Sequence, residues 1–332
     1  MTRSLRLLAG STLATGALLL AAACSSQGGK EAEEDTAGGA AASCDSPSQT
    51  VAVVSHGKQG DSFWDVVKRG AEDAGKQMCV KITYQGSGDP NEQSQAIDNA
   101  VAQRVNGVVV SMANPDALKG SIQKAIAAGI PVITINSGQD RSKEFGALTH
   151  VGQAERTAGE GAGEQLAEAG VKNLLCVIHE AGNIGLEQRC DGAAASLGGA
   201  SQNLQVDVSD LNAAASTIQS KLQADPSIDG VLTLNDGVGK SAITAVDSAG
   251  SSAKIATFDV NADVIKAVKD GSLLFAVDQQ PYTQGYLPVV FIKLYADNAN
   301  TIGGGQPVLT GPSFVTKDNA DDVEKYAARG TR

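Results

Sequence analysis

Short runs of valine and isoleucine alternate with longer amphipathic segments along most of the chain, and this alternation constrains its fold most strongly. The predicted strands are residues 50–55, 80–84, 107–111, 131–135, 173–178, 204–208, 230–234, 254–258 and 273–277. Predicted helices between them include 63–76, 91–104, 115–128, 154–169, 213–223 and 281–296. Continuously apolar strands separated by helices indicate parallel sheets that helices cover on both faces. Because the pattern runs once before and once after about residue 152, we expect an α/β fold of two Rossmann-like lobes.

Composition supports two lobes and limits the partners of the chain. Of the 332 residues, 42% are apolar but only 4% are aromatic, so the cores must be built from aliphatic side chains. Roughly 280 residues remain after a low-complexity N-terminal part, enough for two lobes rather than one large core. The net charge of −11 argues against a nucleic-acid partner and against a polybasic grip on anionic lipid.

The N-terminus has the layout of an export signal. Arg3 and Arg6 precede an apolar stretch over residues 7–23 that is short and broken by Gly and Ser. Small residues directly before Cys24 predict lipoprotein cleavage, with the lipid attached to Cys24 and residues 1–23 removed. The alternative is an ordinary signal that leaves Cys24 as an unpaired thiol. Residues 24–49 are rich in Gly, Ala and Ser, which predicts a flexible tether.

Four cysteines remain after Cys24: Cys44, Cys79, Cys176 and Cys190. An exported chain permits disulfides, and four cysteines allow three pairings. We favour Cys44–Cys79 and Cys176–Cys190, because each pair flanks one strand–helix unit and closes a short loop. The alternative is that one or more of the four are buried free thiols.

Polar side chains follow most of the predicted strands, where ligands bind in parallel sheets. After the first strand they are His56, Asp61 and Ser62, which the aromatic residues Phe63 and Trp64 follow. The others are Asn114 after the third strand, Asn136 and Ser137 after the fourth, His179, Glu180 and Arg189 after the fifth, Asn235 and Asp236 after the seventh, Asp259 after the eighth, and Gln279 and Gln280 after the ninth. Each one alone is as well explained by helix capping. Their joint presence in both halves is harder to explain by capping alone.

Seven segments carry a resemblance to the periplasmic sugar-binding proteins of ABC importers, of the ribose- and galactose-binding type. In order, they are Gly-Asp-Ser-Phe-Trp (60–64), Arg-Val-Asn-Gly-Val-Val-Val-Ser (104–111), Gly-Ile-Pro-Val-Ile-Thr-Ile-Asn (129–136), Glu-Gln-Arg-Cys-Asp-Gly (187–192), Leu-Asn-Asp (234–236), Thr-Phe-Asp (257–259) and Asp-Gln-Gln-Pro (278–281). No single segment is specific, but the ordered set is. The resemblance covers nearly all of the chain after the tether.

The resemblance implies sugar contacts in the first half of the chain. Asp61 lies where the family places a polar side chain on a sugar hydroxyl, and Phe63 and Trp64 lie where it places aromatic rings. A sugar ring presents C–H groups on one face and hydroxyls at its rim, so it suits an aromatic plane and planar donors and acceptors. The alternative is that one of the two adjacent rings only packs the first helix onto the sheet.

The resemblance also implies sugar contacts in the second half of the chain. They are expected from Arg189, Asn235, Asp259 and Gln279, whose planar groups can hold adjacent hydroxyls. Arg189 could instead be a salt-bridged surface residue. The chain departs from the family at Asn136 and Ser137, where close ribose-binding relatives have an Asp-Arg pair. This neutral pair puts ribose itself in doubt.

The resemblance also implies an architecture. The first lobe is expected to comprise residues 50–152 and 281–308, and the second residues 153–280 and 309–332. Three crossings near 150–153, 279–281 and 309–312 would form a three-strand hinge, about which lobes of such proteins close on a ligand.

The implied function is capture of a monosaccharide or related polyol and its delivery to an ABC importer permease. The partners are then this ligand, the permease and the membrane through the lipid anchor, and the location is extracytoplasmic. A sensor subunit that feeds a chemoreceptor or signalling kinase is the alternative. No enzymatic activity, cofactor or metal is expected, since the phosphate-loop, zinc and catalytic-triad patterns all fail on spacing.

Overall fold

The computed structural model describes residue 44, residues 47–58 and residues 60–332. The predicted lipid attachment at Cys24, the leader over residues 1–23 and most of the tether lie outside the described residues. The first strand begins at Gln49, the last residue of the predicted tether. Among the helices of the described part, none is long and apolar enough to cross a membrane.

In chain order, the strands are β1 (Gln49–Ser55), β2 (Val80–Gly86), β3 (Gly107–Ser111), β4 (Val132–Ile135), β5 (Thr149–Gln153), β6 (Asn173–Ile178), β7 (Ala200–Gln205), β8 (Gly230–Thr233), β9 (Lys254–Phe258), β10 (Phe275–Asp278), β11 (Val308–Gly311) and β12 (Ser313–Thr316). The α-helices are α1 (Ser62–Met78), α2 (Pro90–Ala102), α3 (Pro115–Ala127), α4 (Gln139–Phe145), α5 (Glu155–Glu168), α6 (Ile184–Leu197), α7 (Leu211–Ala224), α8 (Asp236–Ala249), α9 (Ala262–Asp270), α10 (Pro281–Asn298) and α11 (Ala320–Arg329). A short 3₁₀ helix covers Gly303–Gly305.

The strands form two sheets of six, which confirms the predicted fold class. The first sheet has the order β11-β5-β4-β3-β1-β2 and the second β12-β10-β9-β8-β6-β7. All neighbouring strands are parallel except β12, which runs antiparallel to β10. In the first sheet β2 and β3 lie on opposite sides of β1, and in the second sheet β7 and β8 lie on opposite sides of β6. The direction in which successive strands are added therefore reverses between β1 and β3 and between β6 and β8. In parallel sheets the crevice beyond this switch point is where ligands bind.

The chain passes between the two sheets at three places. It leaves the first sheet after β5, returns between β10 and α10, and leaves again between β11 and β12. The helix α10 then packs along α1, where the Cα of Gly285 lies so close that a Cβ would meet the carbonyl oxygen of Val67 at 1.9 Å. Gln153 and residues 309–311 pair within the first sheet, whereas the expected boundaries put them in the second lobe.

Side chains that alternate along each strand fill a separate core on each face of each sheet. In β3, Val109 packs with α1 and α10 on one face, while Val108 and Val110 pack with α2 and α3 on the other. In β6, Leu175 and Val177 face α7, α8 and α9, whereas Leu174 and Cys176 face α5 and α6. The continuous apolar pattern of these strands thus has the predicted cause, which is burial on both faces.

Where the strand predictions differ from the structure, the apolar signal is weak. The strand predicted at 204–208 lies at Ala200–Gln205, because β7 is an edge strand whose residues are mostly exposed or half-buried. The strands β5, β11 and β12 were not predicted, and they are short or rich in polar and small residues. The remaining predicted strands agree with the structure to within about two residues at each end.

Both favoured disulfides are present, so these two pairings are confirmed. Cys44–Cys79 ties the segment before β1 to the end of α1, and Cys176–Cys190 ties β6 to α6. Their Cα atoms lie 5.4 and 5.8 Å apart, within the usual range. The paired cysteines are 35 and 14 positions apart in the sequence, and each bridge contributes about 3–4 kcal/mol in the chain-entropy account.

The helices α5 and α6 approach each other through glycine. A Cβ on Gly159 would lie 2.1 Å from the carbonyl oxygen of Arg189, and one on Gly192 would lie 2.2 Å from that of Arg156. Gly159 of α5 and Gly192 of α6 therefore permit close packing of the two helices. This contact fixes the position of α6, which carries Arg189.

We predict that Gly159→Ala destabilises the protein by about 1–3 kcal/mol, because its methyl group forces the two backbones apart. The matched control is Gly120→Ala in α3, where a Cβ meets nothing within 4 Å. That change should stabilise the protein by about 0.5–1 kcal/mol through the lower entropy of the unfolded chain. Equilibrium urea unfolding measures both variants, and equal stability of Gly159→Ala and the wild type would contradict this packing account.

Candidate functional site

The loops after β1, β6 and β8 carry the polar residues predicted from the sequence, and they meet between the two sheets. These loops lie at the two switch points, where the ends of the parallel strands open a crevice. The described residues that line the resulting cavity come from both lobes. They are His56, Asp61, Phe63, Trp64 and Asn136 of the first lobe, and His179, Glu180, Asn183, Leu186, Arg189, Leu234, Asn235, Asp259 and Gln279 of the second lobe and the crossing.

The structure thus brings eight of the nine predicted ligand-binding residues to one cavity. The ninth, Ser137, is buried but does not line it. The cavity has a volume of about 30 Å³, which holds one or two water molecules and no sugar ring. A ligand of that size can enter only if the lobes or the lining side chains move apart.

The first-lobe wall is aromatic and carries one carboxyl group. Trp64 packs edge to face on Phe63, with ring centroids 5.1 Å apart, and on His56, with centroids 4.7 Å apart. Both Phe63 and Trp64 are buried and belong to the core as well as the cavity lining. Gly57 is needed beside them, since a Cβ there would lie 2.1 Å from the Trp64 ring.

Asp61 caps α1 and also lines the cavity. One carboxyl oxygen, Oδ1, accepts a hydrogen bond from the backbone nitrogen of Phe63 at 3.0 Å. Burial, and then the neighbouring carboxyl groups of Asp236 and Glu180, raise the pKa of Asp61 to about 7. Asp61 can therefore cap α1 and also contact a ligand, because the capping hydrogen bond uses Oδ1 and not Oδ2.

Arg189 is held by a buried ion pair rather than lying at the surface. Its Nε and Nη2 donate to the Glu155 carboxylate at 2.6 and 3.0 Å, and both side chains are at most 3% exposed. The guanidinium also lies over the Phe258 ring, 4.6 Å from its centroid. Glu155 was missed from the sequence because it opens a predicted amphipathic helix and carries no other signal.

Gln279 joins the two lobes at the crossing between β10 and α10. Its Oε1 accepts from Asn136 Nδ2 at 3.0 Å and from Arg189 Nη2 at 3.4 Å. Its Nε2 donates to Asp259 Oδ1 at 2.7 Å. Three predicted ligand-binding side chains, from both lobes, thus share one amide.

Asp259 and Asn235 lie at the ends of β9 and β8. Asp259 is buried with φ of 69°, and burial raises its pKa well above the usual value although Arg189 opposes this. Asn235 uses its Oδ1 to cap α8, accepting from Gly237 N at 2.8 Å and Val238 N at 3.3 Å. Its amide nitrogen is the group that remains for a ligand.

Ser137 lies beside the cavity, where it connects the lobes. Its hydroxyl lies 3.1 Å from Oδ1 of the preceding residue, Asn136. It also lies 3.1 Å from Oδ1 of Asn183, which belongs to the second lobe. A second connection lies nearby, where Ser62 Oγ donates to Asp236 Oδ2 at 2.6 Å. These contacts hold the loop after β4 and the start of α1 against the second lobe.

A further wall consists of His56, His179, Glu180 and Asn183. The sequence signalled the first three only as polar loop ends and did not signal Asn183. His56 Nδ1 lies 2.7 Å from Ser111 Oγ, and its Nε2 lies 3.4 Å from Asn183 Nδ2 and 3.7 Å from Glu180 Oε2. Burial lowers the pKa of both histidines, for His179 to about 4. Both imidazoles are therefore neutral at physiological pH.

A wider groove of about 840 Å³ lies between Lys58, residues 60–62 and the helices α8 and α9, and it shares Asp61 and Asn235 with the lining of the small cavity. Lys240 and Asp263 of this groove form an ion pair with each other, and both side chains are largely exposed. The small cavity is the better candidate because its polar groups are buried and converge. No group of three His, Cys, Asp or Glu side chains in the described part of the chain could hold a metal ion.

Comparison with known proteins agrees with this geometry. A solved carbohydrate transporter from Acidothermus cellulolyticus, in complex with myo-inositol, is 43% identical, covers 86% of this chain and 99% of its own, and superposes with a TM-score of 0.84. The xylose/arabinose-binding protein of Sulfolobus acidocaldarius is 26% identical over 83% of this chain and 73% of its own. The ribose import binding protein of Bacillus subtilis is 28% identical over 68% and 74%. Residues 51–300 match the periplasmic binding protein domain family, and the chain therefore belongs to that family.

Proposed function

We propose that this protein captures a monosaccharide or related polyol between its two lobes and delivers it to an ABC importer. The observation that carries the proposal is the small cavity, which combines an aromatic wall from one lobe with buried planar hydrogen-bonding groups from the other. Such a combination suits a ring with C–H groups on one face and hydroxyls around it. The similar protein solved with myo-inositol makes a cyclitol the first ligand to test.

The charge of the cavity favours a neutral ligand. Asp61, Glu180 and Asp259 line it, and Arg189 is the one permanent cation among the lining residues. Since Glu155 already neutralises Arg189, an anionic ligand would face unbalanced carboxyl groups. Neutral hydroxyls can instead donate to Asp61 and Asp259, which supports a polyol over a sugar acid or sugar phosphate.

Ligand entry requires the lobes to separate. The contacts that would have to open include Ser62–Asp236, Ser137–Asn183 and Asn136–Gln279, each a hydrogen bond of about 3 Å or shorter. A ligand that bridges the same walls would replace them in the closed form. Closure of this kind is what hinge-connected two-lobed proteins perform on binding.

Extracytoplasmic location and lipid attachment at Cys24 are part of the proposal. The two disulfides support the location, because such bonds persist in oxidising compartments. The basic start, apolar stretch and small residues before Cys24 support the anchor. Radiolabelled fatty acid should appear on the wild-type protein and not on Cys24→Ala when both are expressed in their natural host.

We predict that myo-inositol or another neutral monosaccharide-sized polyol raises the melting temperature, while D-glucuronate, glucose 6-phosphate and amino acids do not. At 100 times its dissociation constant, a ligand adds about 2.7 kcal/mol, which corresponds to roughly 4–5 °C for a protein of this size. A thermal-shift panel measures this. A shift from an anionic ligand or amino acid alone would reject the proposed ligand class.

Asp259→Asn should weaken binding of the best polyol by about 1–3 kcal/mol, because it replaces a carboxyl oxygen that can accept from a ligand hydroxyl with an amide nitrogen that cannot. Asparagine tolerates the positive φ at this position, so the backbone is preserved. The matched control is Asp263→Asn, whose carboxylate is 69% exposed and pairs with Lys240 away from the cavity. Calorimetric titration should show a change well below 1 kcal/mol for the control, and equal affinities of the two variants would reject Asp259 as a ligand contact.

A further inference from the structure

One buried atom of a residue that lines the small cavity has no hydrogen-bond partner among the described residues. In the part of the chain that the structure describes, seven buried side-chain polar atoms lack a partner, and His179 Nδ1 is the one whose residue lines the small cavity. Burying a donor or acceptor without a partner costs free energy, so native proteins keep few such atoms. An unpaired atom at a binding cavity is therefore a candidate contact for the ligand.

The imidazole of His179 is placed for such a contact. It follows β6 directly, at the switch point of the second sheet, and the side chain is almost fully buried. The charged and titratable groups around it are Glu180, Arg189, His56 and Lys58. Burial is the largest influence on its pKa, which falls to about 4, so the ring is neutral and offers one donor and one acceptor.

The neighbours of His179 are already committed to other partners. Glu180 Oε2 accepts from Asn183 Nδ2 at 2.7 Å, and His56 Nδ1 lies 2.7 Å from Ser111 Oγ. Arg189 donates to Glu155. Of the side-chain atoms at this wall, His179 Nδ1 is the one that is both buried and without a partner among the described residues.

We propose that His179 is a specificity-determining ligand contact, whose Nδ1 hydrogen-bonds one hydroxyl of the bound polyol. This inference rests on the proposed function and adds a residue that the family resemblance did not supply. A neutral imidazole can pair with a hydroxyl in either direction, whereas it gives no charge compensation to an anion. The ligand position opposite His179 is therefore a free hydroxyl rather than a deoxy carbon or an acidic group.

The test is a calorimetric comparison of wild-type protein, His179→Leu and His179→Asn with myo-inositol, or with the neutral polyol that binds the wild type best. His179→Leu should weaken binding about tenfold, since it removes the hydrogen bond and keeps the bulk. His179→Asn, which places an amide near the Nδ1 position, should recover most of that loss. A deoxy analogue lacking the contacted hydroxyl should bind wild type about tenfold more weakly and should bind His179→Leu no more weakly than the parent ligand.

This dependence on one ligand position separates a contact from a structural role, which would lower the affinity for every analogue alike. The matched control is Ser201→Ala, which removes another unpaired buried atom of the same lobe, in β7 and away from the cavity. It should leave affinity unchanged. If wild type and His179→Leu bind all analogues with the same ratios, the inference is wrong while the proposed function stands. If no polyol binds the wild type, both fail.

Discussion

The amide of Gln279 is the contact on which the arrangement of the site depends. It lies where the chain crosses from the second sheet to the first, and it connects Asn136, Arg189 and Asp259. Gln284 of α10 adds a further hydrogen bond to the same Oε1 at 3.2 Å. A rotation of one lobe against the other must therefore change the hydrogen bonds of this side chain. Gln279 couples the hinge to both walls of the cavity.

The second constraint is electrostatic. The buried ion pair with Glu155 fixes the position of the Arg189 guanidinium and balances its charge. The ring of Phe258 packs against the face of the guanidinium. Removing either partner would leave an uncompensated charge in the core, which typically costs about 3–5 kcal/mol. Burial raises the pKa values of Asp61 and Asp259, and at Asp259 the charge of Arg189 offsets this only in part. A protein cavity of this charge is suited to ligands that donate hydrogen bonds.

The fold was predictable from the sequence wherever burial on both faces of a sheet leaves a continuous apolar pattern, as in β3 and β6. The edge strand β7 and the short β5, β11 and β12 were misplaced or missed, because tertiary pairing rather than local pattern makes them strands. The helix α6 carries Arg189 in its second turn, and Asn235 caps α8.

The cavity was predictable as a location, since parallel strands end there. Its chemistry was only partly predictable, because the sequence cannot show which polar groups are already paired. Glu155 pairs with Arg189 and balances its charge. The amide of Gln279 is hydrogen-bonded to other side chains of the protein, such as Asp259. Ser137 proves to connect Asn136 with Asn183 beside the cavity rather than to line it.

The central claim is that a polyol binds between the lobes at these residues, and a crystal structure of the protein grown with myo-inositol tests it most directly. The account predicts a ring between Trp64 and Arg189, with hydroxyls on Asp61 and Asp259 and the lobes closed around it. A ligand seated instead in the wider groove beside α8 and α9, near Lys240 and Asp263, would contradict the account.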